Sequence, residues 1–242
     1  MDPIKLIDNP LEEVRFGIKS AKIVNLSSEN LHSLPEVLRN SHHSFYSVRI
    51  STDQVDLVQA VEGMGFRLMD TLVYYKKTTL KLTPFFDSKY TYSIAGSESA
   101  DIIYAMAKKI FRNYVGHYHA DPNFAKSSCD EVYADWAYQA CKQQGVADAV
   151  IVAKDKDTPV GFAAIKCHNT SADGVLFGVD PDYKNQGIYR SLVHQFINWA
   201  VQNKMTEVIY SSQINNYAVH KIWAGEGAHI YKSLYTLHYW KL

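Results

Sequence analysis

The sequence predicts an α/β protein: a larger block built on a mixed open sheet, preceded by a smaller α/β block. Three observations carry this. Short apolar strands follow one another densely between residues 147 and 179, flanked by two helical regions. Val179–Leu192 reads V-D-P-D-Y-K-N-Q-G-I-Y-R-S-L, a strand end, a polar turn and a helix entrance with a glycine in it. Ile188, Leu192, Phe196, Ile197 and Ala200 then recur at helical spacing, one face of an amphipathic helix.

The elements follow in order. Residues 21–26 form a strand, and Ser27 or Ser28 caps a helical stretch to about Arg39. A strand covers 44–50. Asp53 precedes a helix through Val55, Leu57, Val58 and Val61, which Gly63 and Gly65 end before a strand at 66–75. Residues 76–87 read as a linker. The second block opens with a strand at 90–94 and a helix through Ile102, Ile103, Met106 and Ile110. An aromatic loop covers 111–124 and a helix 129–144. Strands at 147–153, 159–167 and 174–179 lead to the helix 187–202, a strand at 206–212, a helix at 216–224 and a last strand at 228–240.

Composition narrows the function. Lysine plus arginine equals aspartate plus glutamate, 25 each, so no basic field is expected to draw nucleic acid or a membrane surface. No apolar run approaches a membrane span, and the N-terminus lacks the basic-then-apolar pattern of a secretory signal. Cys129, Cys141 and Cys167 are odd in number and show no metal spacing. They read as reduced thiols, as expected in the cytoplasm.

The turn before the helix 187–202 is the chemical signal. A helix N-terminus offers unpaired N–H groups and a partial positive charge to a phosphate. Gly187 lets a bulky anion approach the backbone, and Lys184 and Arg190 can add charge. The turn has neither the P-loop nor the dinucleotide fingerprint. It resembles the pyrophosphate loop of the GNAT acetyltransferases, V-x-P-x-x-[RQ]-x-x-G-x-[GA]. Val179, Pro181 and Gly187 fit, Lys184 stands at the basic position, and Tyr189 replaces the last small residue. The element order from 90 to 242 is also the GNAT order, which implies a mixed, splayed central sheet.

The resemblance implies acyl-CoA as co-substrate, held by Lys184, Asn185, Gln186, Gly187, Ile188, Tyr189 and Arg190. The oxyanion donor is expected from the strand before the turn at Phe177 or Val179, with Val179 N–H as first choice. The family often places a tyrosine at the end of N-x-x-x-x-x-x-Y to give the departing thiolate its proton. Here that segment starts at Asn216 and has Trp223 at the tyrosine position. An indole N–H can solvate a thiolate and cannot serve as its acid. Two readings of Trp223 stand, core packing and thiolate solvation. Tyr217 and His220 are the alternative donors. Asn216 is either a helix N-cap or a contact to the co-substrate.

Across its whole length the chain resembles the bacterial dTDP-fucosamine acetyltransferases, on F-G-I-K-S-A-K-I, L-V-Q-A-V-E-G-M-G-F-R-L-M-D, H-Y-H-A-D-P-N-F with Y-A-D-W, and G-A-H-I-Y-K-S-L-Y-T-L-H-Y-W. This implies two domains: residues 1–80, contributing to the acceptor pocket, and residues 90–242, which bind acyl-CoA and catalyse. The implied reaction is N-acetylation of a nucleotide-activated amino-deoxy sugar for surface polysaccharide. Asp70 stands where the family has a glutamate that takes the amine proton through water. Tyr114, His117, Tyr118, His119, Phe124 and Tyr133 are the candidate lining of the sugar pocket, with Trp136 behind. His117 and His119 lack a third ligand at a matching spacing, so no metal is expected. A homodimer is implied by resemblance alone. A GNAT with another amine acceptor (a polyamine, a peptide N-terminus, an aminoglycoside) and a CoA-binding module without catalysis are the competing readings.

Overall fold

The computed structural model describes residues 2–80, 82, 84, 85, 89–142 and 145–241. The chain falls into two compact units. Unit 1 gathers residues 1–73, 115–129 and 232–242; unit 2 gathers 74–114 and 130–231. Unit 1 therefore takes in two stretches that a division at 80–90 assigns to the second domain.

In unit 1, β1 (Lys5–Asp8) pairs antiparallel with β2 (Ser20–Val24), and β2 runs parallel to β3 (Phe45–Ser51). β3 pairs antiparallel with the C-terminal part of β10 (His229–Trp240), which neighbours the start of β4 (Arg67–Thr78). Strand alternation sorts the residues. Ala21, Ile23, Tyr46, Val48, Ile50 and Leu237 face one side and form a core with Leu34 and Leu38 of α2 (Leu34–Asn40) and Leu57, Val58 and Val61 of α3 (Val55–Gly63). The opposite face carries Lys22, Ser47 and His238 in one row of partners and Arg49 with Thr236 in the next.

Unit 1 departs from the sequence reading at its start. β1 and α1 (Pro10–Phe16) were not expected. α1 opens on a proline at N1, where the missing N–H costs nothing, and closes on Gly17 at φ +69°. The expected helix to Arg39 is a 3₁₀ turn at Leu31–Ser33 followed by α2.

In unit 2 the order runs from the end of β4 through β9 (Glu207–Gln213), β8 (Ser171–Val179), β7 (Thr158–His168) and β6 (Ala149–Asp155) to β5 (Thr91–Ile94). β8 and β9 are parallel, and the pairs β5–β6, β6–β7 and β7–β8 are antiparallel. β7 lies mid-sheet and is buried from Val160 to Ile165, matching its unbroken apolar run. α7 (Ile188–Gln202) packs on it through the expected face: Ile188, Leu192, Phe196, Ile197 and Ala200 are all buried. α4 (Ala100–Ile110), α6 (Lys126–Lys142) and α8 (Tyr217–Gly225) fall where helices were expected. Positions 143 and 144 of the expected 129–144 helix lie outside the described residues.

Two expectations about loops change. The stretch 76–87 is not wholly a linker, because β4 runs on to Thr78. Its positions 81, 83, 86 and 87 lie outside the described residues. The aromatic loop contains one helical turn, α5 (His117–Ala120).

Candidate functional site

The site of unit 2 begins with a parting of strands. β8 pairs with β9 from Ser171↔Glu207 to Gly174↔Tyr210 and then stops, although both strands continue. A register shift between Ala164 and Ile165 of β7 leaves Val175 of β8 without a partner. Such a bulge bends a strand, and here it coincides with the end of pairing. Asp180 N–H donates to Val160 O of β7 at 2.9 Å. Successive N–H groups of a strand alternate sides, so those of Phe177 and Val179 point away from β7, to the edge that β9 has left. These are the two expected oxyanion donors.

β8 leads into the turn. Asp180 accepts Asp182 N–H, and Lys109 of α4 reaches Asp180 and Asp182 at 2.7 and 2.6 Å. Nothing in the sequence had tied Lys109 to this turn. Asn185 and Gly187 adopt left-handed φ of +61° and +82°. A Cβ built on Gly187 meets nothing within 4 Å, so the space over the turn is open. Ser191 N–H bonds Gly187 O at 3.0 Å, leaving the N–H groups of Gly187, Ile188, Tyr189 and Arg190 without helix partners. This is a cradle suited to a pyrophosphate.

The side chains differ from the expectation in detail. Lys184 is exposed, and its own N–H bonds Pro181 O. Arg190 Nε lies 3.0 Å from Glu226 Oε1, and His194 Nε2 lies 2.6 Å from Glu226 Oε2. Lys77 donates to Glu226 O. Arg190 thus serves the end of α8, and Lys184 is the lysine of the turn itself.

Aromatic rings line up from the turn to α8. Tyr189 lies 5.9 Å from Phe177, Phe177 6.5 Å from Tyr210, and Tyr210 stacks on Trp223 at 5.2 Å. Trp223 is 4% exposed and meets Tyr75 edge-on. The Tyr210 hydroxyl is buried without a hydrogen-bond partner among the described residues, while the buried Trp223 indole N–H is directed to the Tyr189 hydroxyl. An unpartnered hydroxyl at a strand parting fits a ligand with polar groups along its length, as a pantetheine arm has. Burial pushes the Tyr189 phenol up, with the Trp223 indole working against the rise. Tyr210 is pushed up by burial as well.

The alternative donors part company. Tyr217 is 76% exposed. His220 Nε2 lies 2.9 Å from Gln213 O, and its ring stacks on Tyr75. Asn216 occupies the N-cap position without capping; its amide donates to Ser212 Oγ at 2.9 Å. Tyr114 donates its hydroxyl to Gln213 Oε1. Gln213, at the free end of β9, was missed, since no spacing joins residue 213 to residue 114. Tyr133 is buried and stacks on Phe111.

Asp70 and four candidates of the aromatic stretch belong to unit 1. Asp70 is half-buried on β4. Tyr118 and Phe124 are buried against Phe16, and Phe124 also against Phe45 and Trp240. Tyr118 donates to Glu12. His117 Nδ1 lies 2.8 Å from His238 Nε2, whose Nδ1 lies 2.9 Å from Asp121 Oδ2. Trp240 Nε1 donates to the same oxygen. Burial works against the Asp121 charge, but bonds from His238, Trp240 and the Asn123 backbone overcome it and hold the carboxyl at about 2. Burial drives His117 well below the usual histidine range, helped by His238, Arg49 and Lys22. His119 Nδ1 accepts Gly116 N–H at 3.2 Å.

A strand parting, a bulge beside it and an anion cradle at the next helix define a fold class. Residues 111–224, just under half of the chain, match the model of the Acetyltransferase (GNAT) family. Solved structures extend the likeness to nearly the whole length. A conserved protein of unknown function from Staphylococcus epidermidis is 15% identical with a TM-score of 0.66, covering 100% of this chain and 93% of its own. A GCN5-related N-acetyltransferase from Sphaerobacter thermophilus is 12% identical with a TM-score of 0.64, covering 98% and 76%. A tandem GNAT protein from the clavulanic acid biosynthesis pathway is 9% identical with a TM-score of 0.61, covering 93% and 76%. At such identities the likeness is one of fold, and the fold is the GNAT fold. No curated protein matches the sequence. No helix among the described residues is long and apolar enough to cross a membrane.

Proposed function

We propose that the protein is an N-acyltransferase that moves an acetyl or other short acyl group from acyl-CoA to an amine, in a ternary complex without an acyl-enzyme. The observation that carries this is the parting of β8 and β9 after Gly174, with the N–H groups of Phe177 and Val179 turned into it and the Gly187 cradle at its end. The cradle holds the pyrophosphate, the parting takes the pantetheine arm, and Val179 N–H polarises the thioester carbonyl. The amine attacks that carbonyl, and the C–S bond breaks. The thiolate, with a pKa near ~8.5 for a free thiol, leaves as an anion next to the Trp223 indole N–H.

The acceptor class follows from the sequence resemblance: a nucleotide-activated amino-deoxy sugar of the kind used in surface polysaccharide, with Asp70 taking the amine proton. An acyl-CoA consumption assay against dTDP- and UDP-amino sugars, polyamines, peptide N-termini and aminoglycosides tests it. Turnover with an amino-sugar nucleotide above all other amines is expected. Turnover only with another class removes the sugar assignment and leaves acyl transfer standing. Tight acyl-CoA binding with no transfer to any amine overturns the enzyme reading in favour of a CoA-binding module.

A further inference from the structure

Within unit 1, two stretches far apart in sequence place ligand-type side chains together. Asp8 ends β1, and His42 and His43 lie in the turn between α2 and β3. One ligand atom from each lies within 4.8 Å of the other two. His43 Nε2 stands 2.8 Å from Asp8 Oδ1, and the His42 and His43 rings are 4.1 Å apart. The geometry points to a site for a divalent transition metal of the zinc type, held by Asp8, His42 and His43, with water completing a tetrahedron.

The donor set fits that class. Two imidazoles and a carboxylate suit a borderline metal better than calcium or magnesium, which take oxygen. A tetrahedral ion with ligands at about 2.0–2.2 Å sets its ligand atoms roughly 3.3 Å apart. Asp8 and His42 are exposed and can turn to that spacing, while His43 is buried and fixed. His42 makes no hydrogen bond among the described residues, so its ring has no competing role.

The turn is rigid without a metal. Ser41 Oγ lies 2.6 Å from His43 Nδ1 and also accepts His43 N–H. A carboxylate only accepts, so without a metal His43 Nε2–H donates to Asp8; a bound cation takes that proton's place, with Nδ1–H then donated to Ser41 Oγ. Tyr46 donates its hydroxyl to His43 O at 3.0 Å, and Lys241 donates to the carbonyls of Arg39 and Ser41. Ser44 N–H bonds Lys19 O. The three side chains also line an open concavity of about 290 Å³, where Glu13 adds a second carboxylate and Lys19 an opposing charge. The competing reading is a plain Asp8–His43 ion pair, which needs no His42.

The sequence hid this site because Asp8 is remote from the histidine pair, and adjacent histidines are not a ligand spacing by themselves. The test uses the full chain, tag-free and stripped of metal. Titration with Co(II) should give the visible bands of a tetrahedral ion at one equivalent, reversed by adding Zn(II). His42→Ala and Asp8→Asn, both at exposed positions, should abolish saturable uptake while the thermal melt of the metal-free protein stays in place. Ser41→Ala should weaken binding by about 10-fold through loss of the bond that orients His43. Zn(II) should raise the melting temperature of the wild type and leave His42→Ala unmoved. Equal Co(II) uptake by wild type and His42→Ala, or no saturable uptake by the wild type, overturns the site.

Discussion

In unit 2, β8 gives up its neighbour after Gly174 while both strands run on. In unit 1, β3 keeps its pairing with β10 from Phe45 to Ser51 without a break. The two units spend their polar groups accordingly. Unit 1 closes most of its buried ones: Asp121 takes bonds from His238 and Trp240, and His238 meets His117, though Glu12 Oε2 and Thr236 Oγ1 are left over. Unit 2 leaves the N–H groups of Phe177 and Val179 and the Tyr210 hydroxyl open, among the described residues, where its strands part. An unbroken ladder holds a fold together. An interrupted one leaves backbone donors ready for a ligand, and the cost of leaving them open is recovered only when the ligand binds.

The largest expected effect asks whether unit 1 contributes chemistry at all. Asp70→Asn should cut acyl transfer by ~10²–10⁴-fold with fold and acyl-CoA affinity kept, and the loss should shrink as pH rises and more amine is neutral. Rates within twofold of wild type across the pH range would remove Asp70 from the mechanism.

Gly187→Val attacks the opening itself. A β-branched residue at φ +82° costs on the order of 1–3 kcal/mol in backbone strain and also fills the space over the cradle. Calorimetric titration should show acetyl-CoA binding largely lost in a folded protein, and unchanged affinity would remove the cradle assignment. Trp223→Tyr is gentler. It puts a phenol where the indole stacks on Tyr210, so transfer should hold or rise, with a falling limb near the phenol pKa of ~10. No change in the pH profile would mean that the group at 223 does not meet the thiolate.

The closed side of the comparison has its own signature. His117 has a folded pKa below its unfolded value of 6.5, so the unfolded chain binds the proton more readily. The stability this gives is present above that pH and is lost as pH falls through it. Asp121, at about 2 when folded against 3.8 unfolded, adds a second loss at lower pH, as the pH falls through that interval. Urea melts from pH 8 to 5 should show the first loss, and His117→Gln should flatten it; an unchanged slope would place the titration elsewhere. The smallest effect is Lys184→Ala, at no more than about 1 kcal/mol in acetyl-CoA affinity, since an exposed lysine is well solvated.

The cradle was legible because its donors are consecutive backbone groups and its glycine is fixed by φ. The α7 face was legible from helical spacing; the resemblance put the parting at 177–179, whereas the pairing already ends at Gly174. What escaped depends on distant partners. β1 and α1 are too short for a periodic signal. K-K-T-T at 76–79 looks like a polar linker, yet it ends a strand and sends Lys77 to Glu226. Arg190 was read with the turn because of its position, but its partner, Glu226, stands 36 residues on. Tyr118 and Phe124 look like stacking platforms in the sequence, while in the fold their rings are shut in by Phe16, whose helix was not foreseen.

The segmented make-up of unit 1 has a consequence for synthesis. β3 emerges from the ribosome before any of unit 2, but the strand that completes its ladder, Leu234–Trp240, is translated only after it. Until then β3 has an unpaired edge, and closing it means joining chain segments with all of unit 2 between them, a slow event in loop-entropy terms. Unit 2, from Tyr74 to Tyr231, is finished sooner. The nascent chain therefore carries an exposed strand edge while unit 2 is being made, the condition under which strand-pairing errors and chaperone engagement arise.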